Sequence, residues 1–283
     1  MTARLTRPAD RLAVAACALA ALLAPAAGRA QDWDGDARVE RNAFTWAGAV
    51  PAGRWIYVRN LNGPVRVERG TGDRVEVTAD RRVRGGADPN RVRFTVQKAG
   101  DGQSAIVCAL WDGRGSCDER GSHYSGRDGS DDGRRGSVSV EFTVRVPAGV
   151  RVDVNTVNGG LDVRGASSEV VARTVNGSVR AETDGGPVSA QTVNGSVDAR
   201  MASTGDARDL DFGTVNGSVS VELPPSVGAE VELSTVNGRV STEFPITVQG
   251  RIDPRRLHAT IGDGSRRVRL RTVNGSVTLR RGG

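Results

Sequence analysis

The chain has 283 residues, a formal net charge of +6, only 4% aromatic residues, 37 glycines and two histidines. So few aromatics argue against a wide sandwich core, and two histidines leave little material for acid–base or metal chemistry. Beyond the first thirty residues, no stretch approaches the roughly 18 to 20 apolar residues of a membrane-spanning helix.

Residues 1–30 read as a secretory signal. Arg4, Arg7 and Arg11 precede an apolar run from Leu12 to Leu23, and Pro25 with the small residues up to Gly28-Arg29-Ala30 places cleavage before Gln31. A lipoprotein-type box ending at Cys17 is the weaker reading, because the apolar run before it is short and continues past it. Export from a bacterial cytoplasm to the periplasm or the exterior is therefore expected. The segment carries four Arg and one Asp, which leaves about +3 on the rest of the chain. Binding to nucleic acid is not expected at that charge. Many Arg residues alternate with apolar ones, as in Val65-Arg66-Val67 and Arg267-Val268-Arg269-Leu270-Arg271, the pattern of a solvated outer strand face.

Residues 31–111 hold Trp33, Trp46, Trp55 and Trp111 and one divergent repeat, in which Ile56, Val58 and Asn60 precede Asn62-Gly63 and Val65 and Val67 follow. An N-terminal cap with the first β-coils is expected here. Cys108 and Cys117 are the only cysteines after the signal, and in an oxidising compartment they are expected to form a disulfide. With His123 they are too few for a metal site. Residues 112–136, rich in Gly, Ser, Arg and Asp, read as a flexible loop. Within it Asp128-Gly129-Ser130-Asp131-Asp132-Gly133, like Gly262-Asp263-Gly264 further on, lacks the spacing of a calcium loop and reads as linker or turn.

Regular strands resume at Ser137 and run to the end, so residues 137–283 form the repeat region. Six copies of T-V-N-G begin at Thr156, Thr174, Thr192, Thr214, Thr235 and Thr272, with separations of 18, 18, 22, 21 and 37 residues. A fixed period of this length marks a chain that stacks one structural unit. The apolar parity shifts by one residue at each Asn-Gly pair: Val170, Ala172 and Thr174 share a face before it, and Val179 and Ala181 after it. Strands alternate with period two, so the backbone must turn at Asn-Gly while its apolar face stays inward. The turn residues are then Asn62-Gly63, Asn158-Gly159, Asn176-Gly177, Asn194-Gly195, Asn216-Gly217, Asn237-Gly238 and Asn274-Gly275.

Two architectures fit this parity. One is an all-β, single-stranded parallel β-solenoid, β-helix-like, with coils of about 18 to 22 residues. The alternative is an antiparallel hairpin meander or sandwich with type I′ turns. The small aliphatic interior, with like residues at like positions in successive copies, favours the solenoid. Three details follow from that choice. Asn and Gly should both use positive φ at the corner, Thr and Asn should both point inward, and the 37-residue gap should contain one degenerate coil. A single coil buries too little to fold alone, so stability must come from stacking.

The run R-V-P-A-G-V-R-V, the spaced T-V-N-G units, F-P-I-T-V-Q-G-R with R-R-L and T-I-G-D-G, and the closing L-R-T-V-N-G-S-V resemble the bacterial "putative adhesin" family of β-strand-repeat proteins, a domain of unknown function. The upstream N-L-N-G-P-V-R-V and the loop between the two cysteines are similar to that family as well. The resemblance implies a β-solenoid-like fold outside the cytoplasm and brings no ligand, cofactor or catalytic residue with it.

His123 and His258 stand beside no nucleophile motif, and no catalytic, cofactor or metal residues are assigned. The sequence reading is an exported, non-catalytic binding or envelope-scaffolding protein, with an envelope polysaccharide or surface protein as partner. Its rivals are a polysaccharide-acting enzyme on a β-helix, which needs converging carboxylates, and a structural protein that self-assembles through exposed edge strands.

Overall fold

A computed structural model describes residues 36–40, 42–112, 115–124, 136–247 and 253–283. The signal segment, Trp33 and the Asp128 to Gly133 run lie outside the described residues. Among the described residues, apart from one short 3-10 turn at Pro89–Arg91, the regular structure is all β.

The N-terminal part contains β1 (Asp36–Val39), β2 (Ala43–Gly48), β3 (Trp55–Arg59), β4 (Val65–Arg69), β5 (Val75–Arg84), β6 (Val92–Lys98) and β7 (Ala105–Trp111). A small ribbon follows, β8 (Gly115–Cys117) with β9 (Ser122–Tyr124), and then the long β10 (Ser137–Val146). The repeats supply β11 (Arg151–Asn155), β12 (Leu161–Ala166), β13 (Val170–Arg173), β14 (Val179–Thr183), β15 (Val188–Gln191), β16 (Val197–Met201), β17 (Asp209–Gly213) and β18 (Val219–Leu223). The C-terminal part adds β19 (Ala229–Ser234), β20 (Val240–Thr242), β21 (Arg256–Ile261), β22 (Arg267–Arg271) and β23 (Val277–Arg281).

These strands form a solenoid of two facing sheets. One runs β1-β2-β5-β10-β4-β12-β14-β16-β18-β23-β20 and the other β21-β19-β22-β17-β15-β13-β11-β3-β7-β6. Each coil lays one strand in each sheet and turns between them at Asn-Gly. The register keeps aliphatic over aliphatic: Val65, Leu161, Val179, Val197, Val219 and Val277 align along one sheet. All six are buried, so one aliphatic column lines the interior.

The corner is not a hairpin because its amides bond to the neighbouring coil: Gly159 N–H donates to Asn176 O (3.0 Å) and Asn176 N–H to Val157 O (2.7 Å). The expected positive φ at Asn is not found; among the described residues the one non-glycine with positive φ is Asp112. Glycine is needed for a different reason. A Cβ on Gly177 would overlap the carbonyl oxygen of Gly159 in the coil beneath, and the same collision recurs at Gly159, Gly195, Gly217, Gly238 and Gly275. Coil stacking excludes a side chain at every one of these corners, and at Gly195, Gly217 and Gly275 a φ of +149 to +159 adds to it.

The coils do not stack in chain order. The β3–β4 coil lies between the β7–β10 coil and the β11–β12 coil. At the other end, β22 and β23 insert between β17–β18 and β19–β20. The long gap before Thr272 therefore holds no degenerate parallel coil. It holds β20 and then β21, which pairs antiparallel with β19. Antiparallel pairs also close the N-terminal end, β5 on β10 and β6 on β7. The repeat register is broken at both ends, which blocks indefinite continuation of the stack.

Core composition changes along the axis. Middle coils pair Val with Ala, as Val170 with Ala172 and Val197 with Ala199, whereas the N-terminal end packs Phe44, Trp46 and Phe142. Phe94 stacks on Phe44 at 4.7 Å and meets Phe142 edge-on at 6.1 Å.

Candidate functional site

Each T-V-N-G corner divides its side chains by direction. The Thr is buried, and its hydroxyl donates to the glycine carbonyl of the adjoining coil: Thr174 to Gly159, Thr192 to Gly177 and Thr214 to Gly195, each at 2.8 Å. In the first coil Asn60 takes the Thr position and donates to the carbonyls of Gly63 (3.0 Å) and Val140 (2.9 Å). The asparagines of Asn-Gly point outward, contrary to the parity expectation. Their peptide is already at the corner, where strand alternation no longer applies. They form one continuous amide ladder in the order Asn62, Asn158, Asn176, Asn194, Asn216, Asn274 and Asn237, with Nδ2 to Oδ1 distances of 2.7 to 2.9 Å. Six spacings of about 4.8 Å make a strip about 29 Å long.

Two further rows flank it. Val175, Val193, Val215, Val273 and Val236 are exposed on one side, and Ser178, Ser196, Ser218 and Ser276 on the other. The valines are the same residues that the sequence pattern places at the end of an apolar stretch. They face water because the preceding Thr has taken the inward position.

The outer face of the larger sheet carries charge in alternating sign. Across successive coils one row reads Arg145, Glu68, Arg164, Glu182, Arg200, Glu222, Arg280. A second row reads Arg66, Asp162, Arg180, Asp198. In-register parallel stacking would set like charges side by side, so alternation removes that repulsion. Arg200 meets Glu222 at 2.9 Å and Arg145 meets Glu68 at 3.8 Å. The signal was present in the 18-residue spacing of Arg164, Glu182 and Arg200, but reading it requires the parallel register.

The third feature sits on the other sheet, at its N-terminal end. There the β8–β9 ribbon, within the stretch expected to be a loop, lies over β7, every residue of which is buried. The Cys108–Cys117 disulfide joins strand to ribbon, and Ala99, Ile106, Leu110 and the two cysteines form a small separate apolar cluster beneath it. Arg59, 1% exposed, locks the same contact. Its guanidinium bonds Asp153 Oδ1 (2.6 Å), Asp153 O (3.1 Å), Asp118 O (3.3 Å) and Glu119 O. A charge this deeply buried is tolerable because every side of it is met.

The carboxylates gathered here are occupied by the architecture. Asp101 accepts from the amide (2.7 Å) and hydroxyl (2.6 Å) of Ser104 and the amide of Gln103 (2.9 Å). Although desolvation acts the other way, these bonds and Arg54 hold its pKa below the usual range. Asp118 behaves alike: against desolvation, bonds from His123, Gly121 and Arg120 lower it. Beside them, Trp55 and Tyr57 stand half-buried on the outer face, their rings 5.8 Å apart and inclined by 23°. Burial, followed by Glu119, Asp153 and Asp101, raises the Tyr57 hydroxyl pKa, so it remains a proton donor. Neither aromatic was singled out from sequence as a surface feature; their i, i+2 spacing opposite buried Ile56 and Val58 was the available signal.

The remaining sequence candidates are dispersed. His258 is exposed on β21, opposite Glu232. Asp263 caps its own turn through the Ser265 amide (3.1 Å). Among the described residues no group of three or more His, Cys, Asp or Glu is placed to hold a metal ion, and no helix is long and apolar enough to cross a membrane.

No curated protein matches the chain. Among solved structures it is similar to a "putative cell adhesion protein" from Clostridium sporogenes ATCC 15579, with 11% identity, a TM-score of 0.48, and coverage of 84% of this chain and 99% of that one. It is also similar to a "putative adhesin" from Bacteroides fragilis NCTC 9343, with 10% identity, a TM-score of 0.36, and coverage of 86% and 98%. The family described as Toastrack DUF4097 matches residues 114–280, more than half of the sequence. This two-sheet stack of Asn-Gly coils therefore belongs to the Toastrack DUF4097 family.

Proposed function

We propose that the protein is exported, with residues 1–30 removed as a signal, and acts as a non-catalytic, adhesin-like binding or scaffolding module of the cell envelope. The observation that carries this reading is the outward Asn ladder with its Val and Ser rows, an uncharged strip presented at one coil spacing over seven coils. A surface that repeats the same donors, acceptors and methyl groups suits an extended polymer, which can be gripped at many equivalent points. The disulfide fits an oxidising compartment. Glycoside hydrolysis requires two carboxyl groups facing one glycosidic oxygen. The carboxylates that do gather, Asp101, Asp118 and Asp153, bond backbone amides or the buried Arg59.

Incubation of the purified protein with envelope fractions, followed by sedimentation and washing, tests the reading. Retention on a polymer or a surface protein is expected, and Val193→Lys, which places charge in the strip without touching the ladder, should weaken it. Failure of the unaltered protein to be retained by any fraction would overturn the proposal.

A further inference from the structure

The outer face of the smaller sheet is polar along most of its length. In the coils after β3 its outward residues are Arg151, Asp153 and Asn155, then Val171 and Arg173, then Ser189 and Gln191. On β3 itself the outward residues are Trp55, Tyr57 and the buried Arg59. Two half-buried aromatic rings in offset contact, 5.8 Å apart and inclined by 23°, make an apolar patch within a polar surface. The inward side of β3 is filled by Ile56 and Val58, whereas Tyr57 rests against the small cluster beneath the ribbon with the Arg59 guanidinium 5.1 Å from its centroid, which leaves Trp55 the freer ring.

We infer that Trp55 and Tyr57 form a saccharide-stacking platform, on which the C–H face of a pyranose ring of an envelope glycan rests. This rests on the reading that the chain binds an envelope polymer. The patch is walled on one side by the residues around Asp101 and Ser104 and by the disulfide-held ribbon. On the other side Asp153 and Arg151 stand level with Tyr57 and Trp55 on the adjoining strand. Hydroxyl or acetamido groups of a sugar would find acceptors and donors there, with the protonated Tyr57 hydroxyl among them. The Arg151 guanidinium lies 5.6 Å from the Trp55 centroid and covers part of the ring. It also has a second partner, Glu169 at 3.7 Å, so it can move off the ring without losing its counter-ion.

Beyond the platform the surface favours a chain rather than a single sugar. Val171 and Ser189 follow Asp153 on successive strands, and their short side chains leave the path along the axis low. Each coil advances by about 4.8 Å, close to the advance of one sugar in an extended 1,4-linked glycan. One sugar on the aromatic pair would then place its neighbours over the next coils in turn.

The test uses the whole protein, insoluble peptidoglycan and chitin, and the soluble tetramer of N-acetylglucosamine. Retention on a glycan is expected, together with a change in tryptophan emission on addition of the tetramer. Trp46 and Trp111 are buried, and loss of the change in Trp55→Phe but not in Trp33→Phe assigns it to the half-buried Trp55. Trp55→Ala should weaken binding about tenfold, the scale of one lost aromatic contact, with no change in unfolding midpoint, and Tyr57→Ala should weaken it likewise while also lowering the midpoint, because that ring packs on the cluster beneath the ribbon. Trp55→Phe keeps a ring and should stay within about threefold. Equal binding by Trp55→Ala and the unaltered protein overturns the platform and leaves the envelope-binding reading standing. Retention on envelope protein but on no glycan overturns the ligand class, and no retention on any envelope fraction overturns both.

Discussion

The middle coils and the N-terminal end achieve stability by different means. Between Asn158 and Asn216 the interior is thin, largely Val and Ala, and the same Thr, Asn and Gly contacts are remade in every coil. At the N-terminal end there is little repetition: aromatic rings, antiparallel strands, a buried Arg59 and a disulfide replace the ladders. A repeating unit can rely on its neighbours for hydrogen bonds, whereas a terminal unit has a neighbour on one side only and must substitute bulk and cross-links.

Substitutions should separate the two regimes. The largest effect is expected at Gly177→Ala, where the added Cβ meets the Gly159 carbonyl and only a backbone shift can relieve it. A loss of about 3 kcal/mol in denaturant unfolding is expected, the upper range for overpacking. Gly53→Ala is the control: that glycine has φ +77 but open space around it, so the loss should stay near 1 kcal/mol. Equal losses at the two sites would mean that stacking distance is not what selects glycine at the corner.

Next, at the N-terminal end, the double change Cys108→Ser and Cys117→Ser should cost about 2.5 kcal/mol by loop-closure entropy. Hydrogen exchange should rise at residues 115–124 and stay unchanged in β13 to β16. Asn194→Ala removes both ladder bonds of an exposed residue, and about 1 kcal/mol is expected from unfolding curves. Smallest is a pH effect confined to the ribbon. The Asp118 pKa is lowered in the fold, so its contribution is complete above the ordinary carboxylate value of about 3.9. It disappears as pH falls through the lower folded value. Exchange at Gly121 and Arg120 should therefore accelerate below about pH 4, with no matching change at the Asn ladder.

Much of the architecture was legible because each T-V-N-G unit carries its own parity, and Val170, Ala172 and Thr174 do share the interior. Parity failed two residues further on, at Asn176. It assumes strand geometry, and at Asn176 the chain is already turning, so the amide faces out. The choice of glycine was legible but its cause was not, since torsional need and close approach leave the same letter in the sequence. Coil order was hidden altogether. Nothing local in Val268 or Leu270 says that their strand lies between Leu210-Phe212 and Val231-Leu233. The candidate surface was split likewise: the asparagines were picked out by their repetition but expected inside, whereas Trp55 was noted only as part of the N-terminal cap and first coils and Tyr57 not at all.

Insertion of β22 and β23 between two earlier coils bears on how the molecule is made. A polypeptide emerging from its N-terminus can zip up to the Asn216 level as it appears. The Asn237 level must then wait, unattached to it, until Arg267–Arg281 arrive to fill the vacant tier. Assembly of that end is thus timed to the appearance of β22 and β23, and a nascent protein halted before Arg267 would leave unpaired the edges of β17, β18, β19 and β20 that those two strands cover.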